Sequence, residues 1–122
     1  MPHAGQNGGP LSIWESLEVL GADRIAHGVA AVADRRLLGE LASRGVCLCV
    51  APSSNRKIGL EPDFASLAEA GIALTANSDD PPLVGTRLER ELAALSADTG
   101  RSLEDLTTAA WRHRFGPPGA GV

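Results

Sequence analysis

Four short apolar runs, each ending in polar residues and each followed by a helix-length segment, constrain this chain more than any other feature. Residues 1–5 can supply only the tail of a strand. Arg24-Ile25-Ala26 is a brief strand closed by His27-Gly28, residues 46–51 form an apolar strand closed by Pro52-Ser53-Ser54-Asn55, and residues 72–76 form a strand closed by Asn77-Ser78-Asp79-Asp80. The segments between them read as helices. Residues 11–20 place Leu11, Trp14, Leu17, Val19 and Leu20 largely on one face, with Ser12 and Glu15 at capping-box spacing and Gly21 as the stop. Asp34 is the expected N-cap of a helix over 35–43, Pro62 or Asp63 opens one through Ala70, Thr86 or Arg87 opens one through Ala97, and Ser102 caps one running to about His113. Residues 116–122, rich in Gly and Pro, read as a flexible tail.

Strands alternating with helices imply parallel pairing, because parallel neighbours need crossover connections. The strand starts recur roughly every 22 to 28 residues. That is the repeat of a (β/α)₈ barrel, which needs about 250 residues for eight units. With 122 residues the chain holds half that number, so it reads as one α/β domain equivalent to half of a barrel. A four-stranded half barrel leaves two open sheet edges and an inner face read as apolar. Cover by self-association or a partner chain is therefore expected.

Each strand also delivers metal-capable or polar groups to its carboxyl end: His3, His27, Ser53-Ser54-Asn55 and Asp79-Asp80. In parallel α/β folds that rim is where sites are built. Two adjacent carboxylates cost energy unless a cation is near or the pair is solvated in a loop. Pro81-Pro82 after them is expected to prevent regular continuation. Ser53-Ser54-Asn55 reads equally as a ligand contact or a simple turn. Cys47 and Cys49 fall on one face of their strand, which suits buried thiols and not a mutual disulfide. Trp14 and Trp111 read as packing groups, and His113 as a surface residue.

The net charge of −4 and the lack of a Lys/Arg cluster argue against nucleic acid as a partner. No apolar run reaches membrane-spanning length and no charged-then-apolar leader opens the sequence, so a cytoplasmic protein without a membrane partner is expected.

Three motifs, Pro2-His3-Ala4-Gly5-Gln6, Arg24-Ile25-Ala26-His27-Gly28 and Asn77-Ser78-Asp79-Asp80-Pro81, occur in the order and spacing of the C-terminal half of adenosine deaminase-like proteins. The chain resembles their bacterial branch, which deaminates adenine, adenosine or aminodeoxyfutalosine, over about residues 2 to 115. The resemblance implies a metallo-dependent hydrolase fold, here the second half of a truncated TIM-type barrel. It implies zinc as cofactor, with His3 and Asp79 as ligands, and His27 as the residue that orients the zinc-bound hydroxide. It implies a purine-like small molecule as substrate, with Asp80 bonding the ring. The hydroxide would attack the carbon bearing the amino group, and ammonia would leave.

Two departures bear on activity. Gln6 stands where the family has a proton-donating glutamate, and an amide cannot deliver that proton. Loss of general-acid work costs roughly 10²–10⁴-fold in rate. The family's His-x-His ligands from the first barrel strand have no counterpart here, whereas catalytic zinc normally has at least three protein ligands. Smaller departures are Ala26, where glycine is usual, and Ala51-Pro52, where cysteine-proline is frequent. These readings leave two functions in view: an aminohydrolase impaired as an isolated chain, or a pseudoenzyme that binds a purine-like ligand or another protein.

Overall fold

A computed structural model describes residues 1–116. The expected tail over 116–122 lies outside the described residues apart from Gly116. The elements run β1 (His3–Ala4), α1 (Gly9–Glu18), β2 (Arg24–His27), a 3₁₀ turn (Val29–Ala33), α2 (Arg35–Ser43), β3 (Cys47–Val50), α3 (Pro52–Lys57), α4 (Phe64–Glu69), β4 (Ala73–Ala76), α5 (Pro81–Val84), α6 (Leu88–Thr99) and α7 (Leu103–Arg112). The strands form one parallel sheet in the order β1-β2-β3-β4. This is the alternating architecture expected from the sequence.

Register divides the sheet into two faces. Ile25, Leu48 and Leu74 are aligned in one row across β2, β3 and β4 and are each fully buried. They join Leu37, Leu41, Phe64, Leu67, Leu95 and Leu106 in the core beneath the helices. The next row, His3-Ala26-Cys49-Thr75, and the row Arg24-Cys47-Ala73 below it, lie on the other face. That face is mixed: the small apolar Ala26, Cys47, Cys49 and Ala73 fit the apolar surface expected, and His3, Thr75 and Arg24 add polar groups to it. Strands only four residues long contribute few side chains to it, and those are Ala, Cys, Thr and Arg. Arg24 lies along it. Its Nε and Nη2 donate to Cys49 Sγ at 3.3 and 2.8 Å, and its Nη1 donates to the His113 carbonyl at 2.6 Å. The guanidinium also sits 4.9 Å from the Phe115 ring centroid. The segment after α7 is thereby fastened to the sheet, and His113 is half-buried, not a free surface residue.

Three local expectations are corrected. α1 begins at Gly9, with Pro10 in its first turn, where a missing N–H costs nothing. Ser12 therefore caps nothing; its hydroxyl accepts from Gly5 N at 2.9 Å and donates to the Gly9 carbonyl at 2.8 Å. Pro81-Pro82 starts the short helix α5 for the same reason as Pro10, in place of the break expected there. Ser53-Ser54-Asn55 is helical, not a turn: Pro52 opens α3, and the buried Glu91 carboxylate accepts from Ser53 N at 3.0 Å. Cys47 and Cys49 are free, buried and on one face, as the spacing indicated. Among the described residues no helix is long and apolar enough to cross a membrane.

Candidate functional site

The carboxyl ends of the strands converge on a cavity of about 220 Å³ lined by His3, Ala26, His27, Cys49, Asn77 and Asp79, among others. Two of these residues share an unusual backbone. His27 has φ 67° and Asp79 has φ 57°, and they are the only non-glycine residues with positive φ among those described. His27 is the last residue of β2, and Asp79 lies in the turn between β4 and α5. A left-handed backbone costs an ordinary side chain roughly 1–2 kcal/mol and concentrates at functional sites.

Local interactions explain how each turn is held. After β2, Gly28 continues in the left-handed region and donates its N–H to the Ala4 carbonyl at 2.8 Å, lacing β2 to β1. This brings the His3 and His27 rings into a near-parallel stack, with centroids 4.4 Å apart and planes 6° apart. His27 is only 2% exposed. Burial lowers its pKa, the neighbouring His3 lowers it further, and Asp79 and the Asn55 hydrogen bond act in the opposite sense. The net effect of the fold is to disfavour the charged ring. After β4, Asn77 Oδ1 accepts from Asp79 N at 3.1 Å, and Asp79 Oδ2 accepts from Ser54 Oγ at 2.6 Å.

Helix α3 supplies the remaining contacts. Asn55 is fully buried, and its Oδ1 lies 3.1 Å from His27 Nδ1 and 3.2 Å from Gln6 Nε2, which donates to it. The structure thus brings together His3, Gln6, His27 and Asp79 around α3. Asp80 is placed differently: it is exposed and caps α5, its Oδ1 accepting from Leu83 N at 3.2 Å, and it does not line the cavity.

Sequence reasoning left Ser54 and Asn55 undecided and missed Asn77, Glu91 and the Arg24–Cys49 contact. For Asn77 the Asn-x-Asp spacing was a usable signal; the others depend on contacts across 25 or more residues. The Cys49 thiol is drawn down to about 5, first by a hydrogen bond from Cys47 and, against the opposing effect of burial, by Thr75 and Arg24. The Cys47 thiol is correspondingly pushed up. Arg24 has no carboxylate partner among the described residues, and its guanidinium donates to Cys49 Sγ instead.

His3 and Asp79 offer nitrogen and oxygen donors of the kind zinc accepts. Among the described residues no group of three or more His, Cys, Asp or Glu side chains is arranged to hold a metal. The donors present are thus fewer than a catalytic zinc centre requires, and the described residues do not complete one by themselves.

A short-stranded parallel sheet with polar groups gathered at its carboxyl rim is the architecture of a segment of a β/α barrel. The family is then settled by comparison. The adenosine deaminase family model matches residues 1–113, and the chain belongs to that family. It is 41% identical over 115 residues to an aminodeoxyfutalosine deaminase of Streptomyces coelicolor, covering 87% of this chain and 30% of the relative. It is 43% identical over 101 residues to an adenine deaminase of Agrobacterium fabrum, covering 79% and 31%. The crystal structure of an adenine deaminase from Arthrobacter aurescens superposes with a TM-score of 0.84 at 27% identity, over 95% of this chain and 38% of that one. An amidohydrolase from Burkholderia ambifaria solved with bound Zn shares the fold, with a TM-score of 0.81 at 22% identity over 95% and 35% of the two chains. The chain spans about 30% of the length of the curated relatives it matches.

Proposed function

We propose that the chain carries one arc of an amino-purine deaminase site, with an altered proton donor. The observation that carries this reading is the convergence of His3, His27 and Asp79 on one cavity, two of them through left-handed backbone. In this reading His27 accepts a proton from the attacking water. Asp79, oriented by Ser54 and Asn77, holds that water. His3 and Asp79 offer two of the ligands of a zinc centre. Asp80 would bond the purine with the carboxylate oxygen that does not cap α5. Gln6 can bond a ring nitrogen but cannot protonate it, so the amino-bearing carbon is poorly activated.

The test is ammonia release from adenine, adenosine and aminodeoxyfutalosine, with zinc present, by the unaltered chain and by Gln6→Glu. Gln6→Glu is expected to be faster by roughly 10²–10⁴-fold. Equal rates in the two proteins refute the assigned role of position 6. No ammonia from either refutes the deaminase reading of this chain. Gln6, committed to Asn55 and lacking an acid proton, favours a second reading as a purine-binding module. Retention of adenine in equilibrium dialysis without turnover is its signature. The β1 and β4 edges are further proposed to be covered by self-association or a partner chain in a cytoplasmic setting; a monodisperse monomer in sedimentation refutes self-association.

A further inference from the structure

We propose that Asn55 is a positioning residue that fixes which nitrogen of His27 carries the proton. A carboxamide oxygen can only accept. Asn55 Oδ1 already accepts from Gln6 Nε2 at 3.2 Å and lies 3.1 Å from His27 Nδ1. Nδ1 must therefore carry the hydrogen, and Nε2 keeps its lone pair. Asn55 is fully buried, and its Nδ2 has no partner among the described residues. Burying an unpaired amide donor costs roughly 1–3 kcal/mol. Turning the amide to aim Nδ2 at the ring would oblige the Gln6 amide to turn as well, and would leave Asn55 Oδ1 buried where Nδ2 now has no partner. The carboxamide is held by its backbone as well. Pro52 begins α3, Glu91 caps it through Ser53 N, and Asn55 N donates to the Ala51 carbonyl at 3.0 Å.

The consequence rests on the deaminase reading, since an open Nε2 is what a proton acceptor needs. The tautomer itself can be measured without turnover. Long-range ¹H–¹⁵N correlation spectra of the ¹⁵N-labelled full chain at pH 8, with His27 assigned through His27→Gln, distinguish a pyrrole-like from a pyridine-like nitrogen. The expected pattern is pyrrole-like Nδ1 and pyridine-like Nε2. Asn55→Leu removes the acceptor, and losing one hydrogen bond of ordinary net strength shifts the tautomer ratio roughly fivefold toward protonated Nε2. Asn55→Asp keeps an acceptor oxygen and is expected to retain the original pattern. A protonated Nε2 in the unaltered chain overturns the assignment, as does an Asn55→Leu spectrum identical to the original. If circular dichroism shows Asn55→Leu to be unfolded, the unaltered chain and Asn55→Asp still decide. Ammonia assays on the same samples judge the deaminase reading separately: a correct tautomer without turnover refutes that reading and leaves the role of Asn55 standing.

Discussion

Gly28→Ala is expected to damage the fold and the site together. Gly28 has φ 71°, so any side chain there incurs the left-handed penalty of roughly 1–2 kcal/mol. An added Cβ would also lie 2.6 Å from Leu48 Cδ2, 3.0 Å from Cδ1 and 3.2 Å from Cγ. Leu48 is fully buried in the central row of the sheet and has nowhere to retreat. Overpacking of this kind costs about 1–3 kcal/mol, which makes the total about 2–5 kcal/mol. Against a whole-domain stability of about 5–15 kcal/mol, that is a large fraction. Gly85→Ala is the control: φ is 74°, but nothing lies within 4 Å of the added Cβ, so it reports strain alone. Urea unfolding followed by circular dichroism measures both. A second comparison isolates the clash. In a Leu48→Ala background the colliding atoms are gone, and Gly28→Ala is expected to cost no more than Gly85→Ala, a coupling of roughly 1–3 kcal/mol. Equal midpoint shifts for Gly28→Ala and Gly85→Ala, or simple additivity with Leu48→Ala, would refute the reasoning.

Other outcomes follow from the same geometry. His27 has its pKa lowered by folding, so below its ordinary value of 6.5 the unfolded chain binds a proton that the folded chain does not. Stability present above pH 6.5 is lost as pH falls, and His27→Gln should flatten that part of a melting-temperature profile. Cys49, drawn down to about 5, contributes stability that is present above the ordinary thiol value and lost as pH falls through 5. Cys49→Ser is expected to weaken the dependence between those limits; an unchanged profile would contradict a folded-state thiolate. Leu48→Ala by itself should cost about 2–5 kcal/mol in urea unfolding. Glu91→Gln keeps its one amide oxygen for Ser53 N and turns its NH2 toward Thr86 Oγ1, which can accept, whereas Glu91→Ala leaves both unserved and should cost at least 1–3 kcal/mol more by the same measurement.

The alternation of strands and helices was legible because each buried strand is a short apolar run and each helix has its own stop. Asp34, Asp63 and Ser102 cap α2, α4 and α7 where local chemistry placed them. Helix starts at proline were misread at Pro10, Pro52 and Pro81, since proline stops a helix only in its interior and fits its first turn. The rim residues were found because strand ends are local features. The links among them were hidden: Asn55 is 49 residues from Gln6 and 28 from His27, and neither distance leaves a trace in local pattern. Asp80 shows the converse. Its adjacency to Asp79 was plain in the sequence, but the cap that it also gives α5 was not, because Pro81-Pro82 read as a stop.

The two left-handed residues, His27 and Asp79, set stability and chemistry against each other at single positions. Glycine is the residue their backbone would accept most readily. A library randomised at 27 and 79 and selected for protease resistance should therefore drift toward glycine. The same library selected for ligand capture should hold histidine and aspartate. The gap between the two outcomes would express, in sequence frequencies, how much of this fold's stability is surrendered to keep a site.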